Sequence, residues 1–177
     1  LGNEQVTQYY VVSLIGKTLV LLIAPINTIV ISYLTKRKER LTRSQFGKAV
    51  LAGGGVSLVF FVACQIGTPL FVWLFYRNLY ESVKGIVTVV NLAQILGLFS
   101  AFLFILVLTF TDERWQLWIQ LTHFCILLVS SVLAARTYGM MGFAVASLGA
   151  NSLRVAAVVI LGIVKAGKDK GDRNADR

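Results

Sequence analysis

Three ionisable side chains lie inside apolar stretches of this sequence: Lys17, His123 and Arg154. A guanidinium near the middle of a membrane-spanning helix costs roughly 3 kcal/mol, so a chain keeps one mainly where it faces water, a partner or a polar cavity. Lysine and arginine can bind an anion there through charge-assisted hydrogen bonds, and histidine can relay protons near neutral pH. The three residues therefore predict a wet, cationic cavity enclosed by apolar helices.

The composition indicates that lipid is the solvent for most of the chain. Hydrophobic residues make up 56% of the 177 residues, charged residues only 14%, and the mean hydropathy is +0.75. A soluble domain of this size does not need so much apolar surface. The net charge of +9 would favour nucleic acid as the partner of a soluble protein. Here the basic residues lie in short segments between apolar blocks, so we expect no nucleic-acid partner.

Five apolar blocks are each long enough to cross a bilayer, which takes about 20 residues. We therefore predict an all-α integral membrane protein, a polytopic bundle of five transmembrane helices within residues 1–165. The predicted spans are 11–34, 49–75, 85–110, 115–135 and 139–164, and the polar tail 166–177 is expected to be disordered. Pro25 and Pro69 lie inside two blocks and are expected to kink or bend the helices, because proline removes a backbone donor.

No catalytic or metal-binding pattern is visible in the sequence. It has no nucleophile motif, Walker sequence or HExxH segment, and Asp112 and Glu113 are neighbours in one turn rather than a pair across a cleft. Cys64 and Cys125 lie in apolar blocks and are interpreted as buried thiols, with neither a disulfide framework nor metal-ligand spacing. We expect no enzyme activity, no cofactor and no bound metal.

Polar residues fall on one face of each block when the sequence is wound at 100° per residue. Besides Lys17 and Arg154, the candidates for the cavity wall are Asn91, Gln94, Gln120, His123 and Asn151. Asn91 and Gln94 are three residues apart, so we expect them to share a face. Ordinary hydrogen bonds between helices explain such amides and the histidine equally well.

The two cations differ in how easily they reach water. Lys17 lies about 9 Å along the axis from Val11, so its long side chain could snorkel to the interface. Arg154 lies about 16 Å from Lys165, which makes snorkelling harder. No Asp or Glu lies inside any of the five blocks. A partner for Arg154 must therefore come from outside these helices, from backbone carbonyls or from an anionic ligand.

The basic residues sort along the chain in a way that predicts its orientation. Twelve of the seventeen Lys and Arg residues lie in the segments 35–48, 111–114 and 165–177, whereas three lie in the alternate segments 1–10, 77–84 and 136–138. Lys and Arg concentrate in cytoplasmic segments. We therefore expect a multi-pass protein of the cytoplasmic membrane, with residue 1 outside and residue 177 in the cytoplasm.

Four stretches resemble the second half of a known transporter family. They are QYYVVSLIGKTLVLLIAPINTIVISYL in block one, PLFVWLFYRNLYESV at the end of block two, VVNLAQILGLFSAFLFILVLTF in block three and YGMMGFAVASLGANSLRVAAVVI in block five. In spacing and composition they are similar to oligosaccharide-lipid flippases of the O-antigen and capsule type, within the multidrug/oligosaccharidyl-lipid/polysaccharide exporter superfamily. The resemblance extends to about residue 165 and includes no invariant catalytic motif.

The resemblance implies most of the C-terminal six-helix lobe of such an exporter, with the N-terminal lobe missing from this sequence. It implies alternating access that carries a lipid-linked oligosaccharide from the inner to the outer leaflet, among membrane lipids and with a proton or sodium ion as candidate coupling ion. Lys17 and Arg154 are then candidates to meet the pyrophosphate or acidic sugars. The alternatives are a cation-coupled multidrug exporter of the same superfamily, which the lack of acids in the helices disfavours, and a non-transporting membrane scaffold.

Overall fold

The chain is almost entirely helical in the part that the computed structural model describes, which is residues 2–36, 42–108 and 110–166, and these residues form no strand. In chain order the elements are α1 (Asn3–Lys36), α2 (Arg43–Phe75), a 3-10 turn (Arg77–Leu79), the short α3 (Tyr80–Val83), α4 (Val87–Leu108) and α5 (Glu113–Ala166). The predicted all-α fold is confirmed for these residues. Two parts of the chain lie outside the described ranges: residues 37–41 of the basic segment 35–48, and residues 167–177 of the tail that was predicted to be disordered.

The last helical segment contains both of the last two predicted spans and folds back on itself. A straight helix of 54 residues would be about 81 Å long, more than twice the thickness of a hydrocarbon core. Gly139 breaks it with φ 61° and ψ −140°, a conformation that glycine adopts without strain. His123 on one side hydrogen-bonds Asn151 on the other, and Lys165 lies over the Trp115 ring. The residues 113–138 and 140–166 are therefore two antiparallel arms, here called the first and second arms of α5.

α4 is the central helix of the bundle. Half of its most apolar 18-residue stretch is buried inside the protein, against 6% of the corresponding stretches of α1, α2 and α5. α4 packs against each of those three helices. Its sequence is apolar on all sides apart from Thr88, Asn91, Gln94 and Ser100, as expected for a helix surrounded by other helices. The outer three helices instead expose long rows of leucine, isoleucine and valine.

Two apolar clusters hold the bundle together, one near each end. At the end where α5 reverses, here called the Gly139 end, the buried members come from α1 to α5: Val11, Val12, Val72, Val83, Ile86, Val87, Val90 and Ala144. At the opposite end, here called the Lys165 end, they are Phe46, Leu103, Leu106, Val107 and Val158. Arg114 and Lys165 lie near the Lys165 end, as does Lys48 two residues after Phe46. The described cations are therefore shared between the two ends, since Arg77, Lys84 and Arg136 lie toward the Gly139 end.

The helix ends depart from the hydropathy limits because local hydrogen bonds extend them. α1 begins at Asn3, eight residues before the predicted start, and Thr7 donates to the Asn3 carbonyl within that extra length. α2 begins at Arg43 because Thr42 forms a capping box with Gln45. Pro25 and Pro69 both lie inside helices that continue past them.

Four helices in the described residues, α1, α2, α4 and α5, are long and apolar enough to cross a membrane. Each arm of α5 would be about 40 Å long if straight, so each has the length of a span by itself. These lengths and compositions are compatible with a membrane protein. Which membrane the chain occupies, and in which orientation, stays a prediction.

Candidate functional site

A pocket of about 660 Å³ opens between α1, α4 and the two arms of α5. Most of its wall is apolar: Ala93, Phe124, Leu127, Leu128, Val132, Ala135 and Phe143. A few polar side chains interrupt that wall: Tyr9, Gln94, Ser131, Arg136, Ser147 and Asn151. A concave, largely apolar space with a few polar groups is typical of a site for a small or amphipathic ligand.

The Gly139 end of the pocket is framed by rings and by a single cation among its lining residues. Tyr9 of α1 and Phe143 of the second arm pack edge to face, with ring centroids 4.9 Å apart. Arg136 lies one turn before Gly139 and is exposed. Among the ion pairs formed by described residues, none involves Arg136, and the exposed pair at the same end joins Lys84 to Glu81. The pocket therefore has an unneutralised positive charge at its mouth.

Ser131 places a hydroxyl in the wall that no described residue satisfies. The residue is 6% exposed, and its Oγ is buried without a hydrogen-bond partner. Helical serines often bond the carbonyl three or four residues back, as Ser130 does with Ile126. Ser131 does not, although a buried hydroxyl without a partner is unfavourable. The Ser131 hydroxyl is therefore an unused donor beside the pocket, and its oxygen is closed to solvent in this structure.

Asn151 and Gln94 form the polar part of the wall deeper in the bundle. Asn151 donates to the Ala93 carbonyl at 2.8 Å and contacts His123 Nε2 through its Oδ1 at 3.2 Å. Gln94 donates to the Ser13 carbonyl of α1 at 3.1 Å. These bonds join α1, α4 and both arms of α5 around the pocket. The structure thus brings together three of the predicted site residues.

Asn91 belongs to a different contact, between α4 and α2. It is fully buried, accepts from Thr68 Oγ1 at 3.2 Å and donates to the Cys64 carbonyl and to Gln65 Oε1 at 3.1 and 3.0 Å. Gln94, one turn later, reaches α1 instead. The two amides were expected to share a face, but they serve different neighbouring helices. Asn91 therefore does not line the pocket.

Arg154 is half-buried beside α4 and is not part of the pocket wall. Its guanidinium carbon lies 5.6 Å from the centre of the Phe104 ring, which allows a cation–π interaction. Its Nε is buried and has no hydrogen-bond partner among the described residues. Arg154 lies three residues after Asn151 on the second arm, so it is close to the pocket without lining it.

The remaining predicted site residues lie elsewhere. Lys17 is exposed, with its Nζ 4.3 Å from the centre of the Tyr10 ring, and Gln120 is half-buried outside the pocket. Of the two cysteines, Cys64 is buried as predicted, but Cys125 is exposed. The prediction for Cys125 was wrong because an apolar block does not tell which side of a helix faces its neighbours.

Sequence reasoning missed the residues that give the pocket its chemistry. Arg136 was interpreted only as a charge in a turn, and Ser131 and Tyr9 were not singled out. One signal was available: Leu127, Ser131 and Ala135 recur every four residues and end beside Arg136, so they lie along one face of a helix. That pattern does not reveal which helix packs opposite.

The site has the donors for an amphipathic or anionic ligand rather than for a metal. Among the described residues, no group of three or more His, Cys, Asp or Glu side chains could hold a metal ion. The amide, hydroxyl and guanidinium groups at the pocket can donate hydrogen bonds to ligand oxygens. Comparison with known proteins gives no match to a family model, to a curated protein or to a solved structure.

Proposed function

We propose that this chain is part of a membrane transporter that moves lipid-linked oligosaccharide across the cytoplasmic membrane by alternating access. The observation that carries the proposal is the pocket of about 660 Å³ between α1, α4 and α5. It combines an apolar wall, which suits a lipid chain, with amide and hydroxyl donors and one unneutralised arginine, which suit a phosphorylated polar group. A purely structural bundle has no need of such a space.

The charge distribution supports an orientation for this function. The segments at the Lys165 end carry most of the basic residues, so that end is the cytoplasmic one in the proposal. Lipid-linked substrate would then be released at the Gly139 end. In the proposal a second lobe of the same polypeptide completes the translocation path, and a proton or sodium ion drives the cycle.

Deleting the coding gene from the cells that carry it tests the function directly. We expect loss of surface polysaccharide and accumulation of lipid-linked oligosaccharide in the inner leaflet, both reversed by the wild-type gene. Normal surface polysaccharide in the deletion strain would refute the proposal. Increased sensitivity to cationic drugs with normal polysaccharide would instead favour a multidrug exporter. If neither polysaccharide nor drug sensitivity changes, the scaffold alternative is favoured.

The matched pair Leu128→Trp and Leu133→Trp ties the function to the pocket. Both leucines are exposed on the first arm of α5, but only Leu128 lines the pocket. A tryptophan at position 128 fills the space, so we expect loss of surface polysaccharide at unchanged protein level. The same change at position 133 should leave polysaccharide normal. If both variants give the same amount of surface polysaccharide, transport does not depend on the pocket.

A further inference from the structure

We propose that the pocket binds the hydrocarbon chain of a phosphorylated lipid, and that Arg136 binds the phosphate of that lipid. The inference rests on the proposed function, because it assigns the lipid portion of the cargo to a place in this chain. It commits to one occupant, a lipid phosphate monoester or diester, for reasons of length, access and charge.

The length of the pocket matches one leaflet of a bilayer. Phe124 and Arg136 lie at its two ends on the first arm of α5, twelve residues apart, which corresponds to about 18 Å along the axis. The hydrocarbon core of a bilayer is about 30 Å thick, so one leaflet contributes about half of that. A lipid chain lying along the arm would therefore reach from the interface to the middle of the membrane.

The pocket is open on the side from which a lipid would enter. Phe124, Leu128 and Val132 recur every four residues on the first arm and are 59%, 53% and 45% exposed. Because they line the pocket and also face outward, its mouth is an apolar stripe on the surface of the bundle. A hydrocarbon chain can move sideways from the bilayer into the pocket without crossing polar surface.

Charge places the headgroup at Arg136. This arginine lies at the Gly139 end and forms no ion pair with any residue that the structure describes. Of the two acids of that end, Glu81 pairs with Lys84, whereas Glu4 accepts from the neutral Gln8 and keeps its charge. In the proposed arrangement the first arm spans the bilayer, which would place Arg136, near its end, at the depth of lipid phosphates. A guanidinium forms bidentate, charge-assisted hydrogen bonds with a phosphate.

Ser131 supplies an independent indication of a ligand. Its unsatisfied Oγ lies in the same wall, five residues and about 7.5 Å deeper than Arg136. The long side chain of Arg136 can bend toward Ser131, so that one phosphate group accepts from the guanidinium and from the Ser131 hydroxyl. Inorganic phosphate held there would leave the apolar wall between Arg136 and Phe124 empty, so that wall favours a lipid over an inorganic anion.

The test measures binding to the purified chain in a neutral detergent by native mass spectrometry. Three probes share a chain of sixteen carbons: monohexadecyl phosphate, hexadecanol and hexadecyltrimethylammonium. We expect monohexadecyl phosphate to bind best, and excess inorganic phosphate not to displace it. Preference for the ammonium probe, or displacement by inorganic phosphate, would overturn the inference.

Variants assign the contacts. Arg136→Gln should weaken monohexadecyl phosphate about tenfold and leave hexadecanol unchanged, since it removes one charge-assisted contact. Arg114→Gln, an exposed arginine of the same arm near the Lys165 end, is the matched control and should change neither. Ser131→Ala should weaken both probes about fivefold without lowering the unfolding temperature. Equal loss for the two arginine variants would reduce the effect to general attraction and overturn the assignment.

Leu128→Trp shows whether the chain occupies the pocket, with Leu133→Trp as its control. Only the first should abolish binding of the phosphate and alcohol probes, and unchanged binding in both would refute the pocket as the site. The binding assay and the polysaccharide assay fail separately. Arg136-dependent binding without any export defect in the gene deletion would refute the proposed cargo but leave a lipid site. An export defect together with binding that does not depend on Arg136 would refute the lipid site but leave the proposed function.

Discussion

The contacts that α4 makes with α2 and with α5 differ in how completely their polar groups are satisfied. Against α2, Asn91 is fully buried and bonds Thr68, Gln65 and the Cys64 carbonyl. Against α5, the wall has a cavity of about 660 Å³ and the neighbourhood has buried polar atoms without partners, Ser131 Oγ and Arg154 Nε.

This difference distinguishes a contact whose polar groups stabilise the bundle from one whose polar groups can still bind a ligand. Polar groups in a helix interface stabilise association when each has a partner. Groups left without partners lower stability, and a chain retains them where a ligand or another segment completes them. We therefore call the first the closed contact (α2–α4) and the second the open contact (α4–α5), and the following variants test whether they behave differently.

The largest effect is expected at the turn that brings the two arms of α5 together beside the open contact. A methyl group at Gly142 would collide with the backbone carbonyl of Ala134, where the two arms of α5 pass each other near Gly139. Backbone cannot move aside as a flexible side chain can, so Gly142→Ala should cost about 3 kcal/mol. Thermal unfolding of the purified protein measures it.

Gly149→Ala is the control for that variant. Gly149 lies on the same arm, and nothing lies within 4 Å of a methyl group added there. It should be neutral or slightly stabilising, since alanine favours helix over glycine by about 1 kcal/mol. If both variants unfold at the wild-type temperature, the arms are not packed at this turn and the pocket loses one wall.

The second effect concerns the closed contact. A side chain at Gly53 of α2 would meet the rings of Phe99 and Phe102 on α4, whereas Gly55 faces open space. Gly53→Leu should therefore destabilise the protein by about 2 kcal/mol through overpacking. Gly55→Leu should change little, and a similar loss in both would contradict packing on α4 as the cause, because leucine favours helix over glycine and helix propensity would stabilise both variants.

Asn91→Leu tests the polar half of the closed contact. The variant removes three hydrogen bonds and leaves Thr68 and Gln65 short of a partner, so we expect a loss of about 1.5 kcal/mol, near the upper limit for such bonds between membrane helices. Gln120→Leu, near the open contact, should cost almost nothing, because Gln120 makes no side-chain hydrogen bond within the described residues. The reverse ranking would contradict the distinction between the two contacts.

The helices and the closed contact can be predicted from the sequence better than the open contact. Long apolar blocks predict helices whatever their neighbours, and Gly53, Cys64 and Thr68 recur on one face of α2 that does pack against α4. Periodicity assigns each side chain a direction around its own helix but not the helix that it meets. For this reason Asn91 and Gln94, three residues apart, were placed on one cavity wall although they bond α2 and α1.

The candidate site was harder to predict because it depends on how the arms of α5 align. The reversal at Gly139 determines that Asn151 meets His123, and nothing local in the sequence gives that register. The free-energy cost of a charge inside an apolar helix also singles out cations in the middle of helices. Arg136, at a turn, carries no such cost, yet it is the cation that lies at the pocket.

The smallest effect, and the one with the opposite sign, is expected at Arg154. Keeping a guanidinium in a bilayer-embedded helix costs roughly 3 kcal/mol, and a cation–π contact with Phe104 returns about 1 kcal/mol. Some of the rest is recovered by the exposed part of the side chain. Arg154→Met keeps the length without the charge, so it should raise stability by about 1 kcal/mol, whereas Arg114→Met at an exposed position should change little. A loss of stability at Arg154 would mean that the arginine has a partner in the protein as purified, such as a bound anion. Repeating the measurement after delipidation would then decide the matter, because only an arginine satisfied by a lipid would regain the predicted sign.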